Sequence, residues 1–167
     1  MTMFSQNTNL LLAFLRDHNT ARSVLDVFND LYAMFGRETY CRLFPVILTD
    51  RGSEFSNPVP IEQDENDELR SLVFYCNPSV PYQKGGIEVA HELVRRVLPK
   101  GKSFDDLQQE DIDLMLSHIN SYKRGKLNSR SAYQLFNFIY GDDILPKLNI
   151  REIEANDIVL SPKLLKK

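Results

Sequence analysis

The stretch Val46-Ile47-Leu48-Thr49-Asp50-Arg51-Gly52-Ser53-Glu54-Phe55 decides how this chain is read. A short apolar run closes on an aspartate, and a glycine follows two residues later. The run reads as a buried strand whose last side chain, Asp50, reaches the rim of a sheet. Gly52 then lets the backbone turn sharply. A carboxylate at a strand end, aimed into a cleft, is where a metal-dependent site places a ligand. The same pattern also describes an ordinary turn.

Outward from it, Gln83-Lys84-Gly85-Gly86-Ile87-Glu88-Val89-Ala90-His91-Glu92-Leu93-Val94-Arg95-Arg96 opens a helix. Ile87, Ala90, Val94 and Val97 share one face at helical spacing. Glu88, His91, Glu92 and Arg95 form a neighbouring stripe of i,i+3 and i,i+4 steps. The apolar stripe must pack on something. If that is the sheet, Glu88 and Asp50 meet at one sheet end.

With Phe74-Tyr75-Cys76-Asn77-Pro78 between them and Pro99-Lys100-Gly101 after them, these stretches resemble the catalytic core of DDE transposases. The branch they resemble is the bacterial insertion-sequence transposases, relatives of retroviral integrases. The resemblance covers roughly residues 2–140. It implies an α/β fold of the RNase H-like kind, a mixed sheet with flanking helices. It also implies three acidic residues holding two divalent ions, Mg²⁺ or Mn²⁺, for DNA strand cleavage and transfer. Asp50 matches the second acidic position and Glu88 the third. The first aspartate has no counterpart here, so the resemblance implies a core lacking its first strand, which would lie upstream of Met1, and inactive alone. The same resemblance offers Lys84, Arg95 and Lys100 as contacts to DNA phosphates. It makes DNA the partner, with a second copy or a full-length transposase as a further one.

The chemistry fits the residue types. Two hard divalent ions about 3.5–4 Å apart activate a nucleophile and neutralise the attacked phosphate, and they take oxygen ligands. Glu92, one turn beyond Glu88, is the rival for the third acid, and Asp17 the first substitute for the missing one. Glu54 reads as a loop support, and His91 as a helix residue bonded to Glu88 or Glu92. Phe74 and Tyr75 read as core. Two other readings stand beside the enzyme fragment. One is a non-catalytic remnant that regulates by binding transposase or DNA ends. The other is a nuclease that recruits its acid from elsewhere.

Composition bounds these readings. The 167 residues carry 43% hydrophobic side chains, enough for a core. No apolar run is long enough to span a bilayer, and the start is not a signal peptide, so a cytoplasmic location is expected. Cys41 and Cys76 are widely spaced and read as buried thiols. The three histidines are scattered, which argues against zinc. A net charge of −3 argues against a freestanding DNA-binding module. Residues 84–130 are locally richer in bases, with Arg95, Arg96, Lys100 and Lys102 as a candidate strip.

Along the chain, residues 1–15 read as a hairpin. Asn19 or Thr20 caps a helix that Gly36 stops, with Val24, Val27, Phe28, Leu31 and Phe35 buried. Residues 56–70, rich in acids and holding two prolines, read as a mobile loop. Gly85-Gly86 reads as the end of a flexible loop. A helix from Ser103 or Gln108 buries Ile112, Met115, Leu116, Ile119 and Tyr122. Another from Ser129 or Ser131 carries Tyr133, Phe136 and residues 138–140. The core is expected to cover residues 1–127, with 128–167 a C-terminal helical extension.

Overall fold

The computed structural model describes residues 1–77, 85–101 and 103–165. The chain divides into two compact units, Met1–Leu15 with Lys84–Lys167, and Arg16–Gln83. Both are mixed α/β, with small sheets and flanking helices, as the sequence implies at that level.

In the 16–83 unit, α1 spans Ala21–Leu43. Thr20 caps it. The Ser23 N–H donates to the Thr20 hydroxyl at 3.2 Å, and the Thr20 N–H donates to Ser23 Oγ at 3.3 Å. These reciprocal bonds satisfy amides that a helix start leaves without partners. Val24, Val27, Phe28, Leu31 and Phe35 form the buried face, as their spacing implies. Gly36, at φ 72°, breaks the helix where expected, in a conformation that favours glycine. The helix does not end there. A second segment continues to Leu43 and buries Tyr40.

Strand β3 (Val46–Thr49) pairs in parallel with the next strand of this unit, Leu72–Tyr75. β3 lies where the sequence places it, but it is not buried. Val46 and Leu48 are 55% and 42% exposed, and Leu72 and Phe74 beside them are 42% and 53%. The strand period of two puts all four on one face, which no described element of this unit covers. Phe74 is therefore not core.

Residues 56–70 are folded rather than loose. Helix α2 (Val59–Glu62) opens the segment, and Gln63 bridges to Leu69. Asp64 accepts from the Tyr32 hydroxyl at 2.7 Å and Arg37 at 2.9 Å. It also accepts from the N–H groups of Asn66 and Glu68, at 2.9 and 3.0 Å. Glu68 pairs with Arg37 at 2.9 Å. The Tyr32 hydroxyl, ahead of the other donors, holds the Asp64 carboxyl below the usual carboxylate range. Arg70 then buries its guanidinium against the rings of Tyr32 and Tyr40. Bound acids and one anchored cation replace the expected repulsion, so the mobile-loop reading is corrected. The strand after this segment, Leu72–Tyr75, is β4.

In the other unit, β1 (Thr2–Phe4) and β2 (Leu11–Ala13) form the expected antiparallel hairpin. The unit is organised on α4 (Gln109–Ser121), whose residues Ile112, Met115, Leu116 and Ile119 are buried. Its polar residues are buried too, and they bind neighbouring backbone. Asn120 accepts from the Leu11 N–H at 2.9 Å and donates to the Leu11 carbonyl at 2.8 Å. Gln109 does the same for Leu15 and Ala13, at 2.9 and 3.1 Å. On another stripe, Asp113 accepts from the Asn149 side chain at 3.2 Å. Ser117 and Ser121 accept from the N–H groups of Arg151 and Ile153 at 3.1 and 2.9 Å. A step of four along a helix rises about 6 Å, and a step of two along extended chain about 6.6 Å. The two ladders therefore stay in register, and 149–153 lies along α4.

His118 is buried, and its Nδ1 accepts from the Val159 N–H at 3.1 Å. Burial, and then Arg151, push its imidazole below the usual value, which keeps that acceptor neutral. Tyr122 ends α4 and is exposed, not part of the buried stripe. Helix α5 (Ala132–Tyr140) is capped by Ser131 and buries Ala132 and Phe136. Phe138 is 83% exposed, so the apolar run near its end points partly to solvent.

The strand edges differ in cover. Met1 and Phe14 exchange hydrogen bonds and the Ser5 N–H donates to the Leu10 carbonyl, so Thr2 and Phe4 turn their amides away from β2. The far edge of β2 is bound by Asn120 and Gln109, and the far edge of β4 by Glu62, which accepts from the Val73 N–H at 2.9 Å. Among the described residues no strand pairs with the outer edge of β1 or of β3.

Candidate active site

Asp50 is the first residue beyond β3, and its side chain is exposed. Its Oδ1 accepts from the Gly52 N–H at 3.2 Å, which fixes the carboxylate over its own turn. The backbone of Gly52 is ordinary, with φ −60° and ψ 150°, so the turn does not use glycine's conformational freedom. The space above it does. A Cβ there would stand 2.5 Å from Glu54 Oε2 and 3.1 Å from Asp50 Oδ1. Two carboxylates therefore converge on the bare Cα of Gly52. Residues 53–55 form a single helical turn, and Glu54 sits within it. Glu54 is thus a neighbour of Asp50 across Gly52. The signal was present in the sequence as Asp-x-Gly-x-Glu. Tyr75 steadies the same turn, its hydroxyl donating to the Phe55 carbonyl at 2.5 Å.

Glu88 stands in the first turn of α3 (Gly85–Val97), and it is exposed. β1 positions this helix. A Cβ at Gly86 would strike the ring of Phe4, so glycine allows the two elements to approach. Gly86 belongs to the helix rather than to a flexible loop. His91 Nε2 lies 3.0 Å from Thr2 Oγ1, which ties the next turn to β1. The ring bonds Thr2 rather than Glu88 or Glu92. Burial pushes its imidazole down, Arg95 adds to that, and Glu88 opposes it. Ala90, Leu93 and Val97 face the core.

Arg95 and Lys100 are exposed, Arg95 in the last turn of α3 and Lys100 just after it. Both are accessible to a phosphate. Lys84 and Lys102 lie outside the described residues. Glu92 is exposed and lines a cleft with Arg96. Asp50 belongs to the 16–83 unit, and Glu88 to the other.

Oxygen donors of this kind suit a hard divalent cation. Asp50 and Glu54 offer such donors around Gly52, and Glu88 offers one on α3. Among the described residues no group of three acids, histidines or cysteines gathers at one point. No helix among the described residues is long and apolar enough to cross a membrane.

No family profile matches the chain, and no solved structure matches it. Individual proteins do. The ORF3 protein of Spiroplasma virus SpV1-R8A2 B, which carries the name integrase, is 28% identical over 136 residues. That alignment covers 81% of this chain and 40% of the viral protein. The transposase for insertion sequence element IS1086 of Cupriavidus metallidurans is 35% identical over 63 residues, covering 38% of this chain and 19% of its own length. The transposase for insertion sequence element IS4351 of Bacteroides fragilis is 27% identical over 94 residues, covering 56% and 28%. The chain thus spans less than half the length of each of these relatives. The chain is thus similar, at modest identity, to proteins named integrase and transposase.

Proposed function

We propose that this chain is catalytic-core polypeptide for metal-dependent DNA strand cleavage and transfer, built on an RNase H-like plan. The observation that carries the reading is Asp50, held by its own turn at the exit of a parallel strand, in a chain similar to transposases and integrases. In this reading Asp50 and Glu88 are the second and third acids. Two Mg²⁺ or Mn²⁺ ions, when bound, supply charge neutralisation and an activated oxygen nucleophile. The protein's own part is to hold those carboxylates rigidly and to fix the DNA phosphates. The Gly52 N–H holds the Asp50 carboxylate, and Glu54 places a second carboxylate over Gly52. Arg95 and Lys100 contact phosphates, and Lys84 joins them by resemblance. DNA ends are the substrate, and a second copy or a longer transposase is the further partner.

No residue of these 167 matches the first acid. The outer edge of β3, beside Asp50, pairs with no strand among the described residues, which supports the view that a further strand bringing that acid can add there, whichever polypeptide supplies it. Without it the metal site is incomplete. A misplacement of about 1 Å can cost on the order of 100-fold in rate. The 167-residue chain alone is therefore expected to show little or no metal-dependent cleavage.

The test is an assay on labelled insertion-sequence ends with Mg²⁺ or Mn²⁺, run beside Asp50→Asn and Glu88→Gln. Cleavage at background level in all three fits the proposal. Robust cleavage that survives both substitutions would show that other residues carry the chemistry. Robust cleavage that both substitutions abolish would mean another acid, Asp17 first, completes the site.

A further inference from the structure

A second site lies wholly within the unit built on α4. It is a cleft of about 350 Å³ between α3 and the loop that follows α4. Arg96, Lys123, Arg124 and Lys126 line it, opposed by Glu92, with Tyr122 on its wall. A chain of net charge −3 thus gathers four cations and one anion around a single opening.

Arg124 is the informative residue. Its Nε and Nη2 are shut off from solvent and have no hydrogen-bond partner. Burial works against its charge, and no carboxylate offsets this. A guanidinium stays protonated regardless. Arg124 as a whole is half-buried, yet two of its donor nitrogens are closed off without a partner, and such unmet donors call for an explanation. The surrounding loop is built, not loose. The Arg124 N–H donates to the Arg130 carbonyl at 3.1 Å, and the Ser129 N–H to the Arg124 carbonyl at 3.2 Å. Asn128 and Ser129 are both held at positive φ, 53° and 60°. Strained residues of this kind persist only where the surroundings fix them. Gly125 leaves open space beside the cation, with nothing within 4 Å of where a Cβ would stand.

We propose that this cleft binds a phosphate group of DNA, with Arg124 as the central cation and Lys123, Lys126 and Arg96 around it. The phosphate chemistry stands on the cleft alone, and only the choice of DNA as its source rests on the function proposed above. Arg124 is half-buried and acts on an anion with less solvent screening, while Arg96, Lys123 and Lys126 are exposed and add a weaker, salt-sensitive attraction. Glu92 repels the same phosphate and limits its affinity. The exposed Tyr122 gives the cleft an aromatic wall beside the bound strand.

The experiment is fluorescence anisotropy with a labelled DNA duplex and the full chain, in EDTA, over a range of salt. Without metal, the outcome is independent of whether Asp50 and Glu88 cut DNA. Arg124→Met and Lys126→Gln should each weaken binding by about tenfold and lower the salt slope by roughly one. Glu92→Gln should tighten binding a few-fold. Because Arg124→Met removes a half-buried charge with two unpartnered donor nitrogens, it should also raise the melting temperature of the free protein while losing the DNA-induced rise. Lys126 is exposed, so its variant reads binding without a folding complication. Unchanged affinity and slope in both variants would overturn the proposal. So would a fall in the melting temperature of Arg124→Met with DNA binding intact, which would make Arg124 a structural cation. Inorganic phosphate that competes at concentrations where equal ionic strength of chloride does not would confirm the phosphate chemistry. Phosphate competition with no DNA binding would assign the cleft to a free phosphate and overturn DNA as its source.

Discussion

Arg70→Ala should destabilise the 16–83 unit by about 3–5 kcal/mol, the scale for removing a buried charged hydrogen-bonding group. The residue is only 4% exposed. Its Nε donates to the Ile61 carbonyl at 3.0 Å, and its Nη2 to the Pro60 carbonyl and Asn29 Oδ1, both at 2.8 Å. The guanidinium also lies over two tyrosine rings, 5.1 Å from Tyr32 and 5.6 Å from Tyr40. Alanine leaves three acceptors without their donor and a void between the rings. Lysine does not rescue it, since a single ammonium cannot reproduce the planar fork. A natural domain holds about 5–15 kcal/mol in total, so the loss takes a large share. Urea denaturation followed by circular dichroism checks it. A midpoint within error of the wild type would show that the Arg70 network contributes nothing net.

The second large effect concerns Asn120, which is fully buried in α4. It closes both backbone groups of Leu11, a residue 109 positions away. Asn120→Ala strips both partners from a buried strand, and each unsatisfied group costs about 1–3 kcal/mol. The expected loss is about 2–4 kcal/mol. Asn120→Asp should be as harmful or worse, because a carboxylate accepts from the Leu11 N–H but repels its carbonyl. Thermal unfolding of the two variants beside Ser117→Ala, which removes one acceptor, should rank them in that order. Equal, small shifts in all three would mean that water replaces these bonds without cost.

These two residues also show where the sequence runs out. Elements with a local signature were legible in it. The Thr20 cap, the buried spacing of α1 from Val24 to Phe35, the break at Gly36, β3 with its terminal Asp50, and the core stripe of α4 are all present. Each rests on a period or a cap that neighbouring residues carry. Asn120 and Arg70 carry no such mark, because their partners lie far along the chain or on backbone carbonyls. The acids of 56–70 read as repulsive until Arg37 and Tyr32, more than twenty residues earlier, supply their donors. The face of β3 was misread because an apolar strand pattern reports side-chain type and not cover. Gly52 and Gly86 were correctly singled out for the wrong reason. A Cβ at Gly86 would strike the Phe4 ring, whereas one at Gly52 would only displace the flexible end of Glu54, and neither glycine sits at positive φ. Of the candidate site, the carboxylates on their elements were legible. The approach of Glu54 to Asp50 depends on the turn at Gly52, and the Arg124 cleft needs the fold to bring α3 to the loop after α4.

The central claim is that Asp50 and Glu88 hold divalent metal together, and Mn²⁺ titration followed by electron paramagnetic resonance tests it most directly. Two carboxylates of an incomplete site predict weak binding that Asp50→Asn and Glu88→Gln each reduce. The two losses should be non-additive, as for groups sharing one site. Glu92→Gln should leave the affinity unchanged. Binding that neither substitution alters would contradict the account, as would carboxylates of Asp50 and Glu88 more than about 10 Å apart in a Mn²⁺-soaked crystal, too far to share a pair of ions.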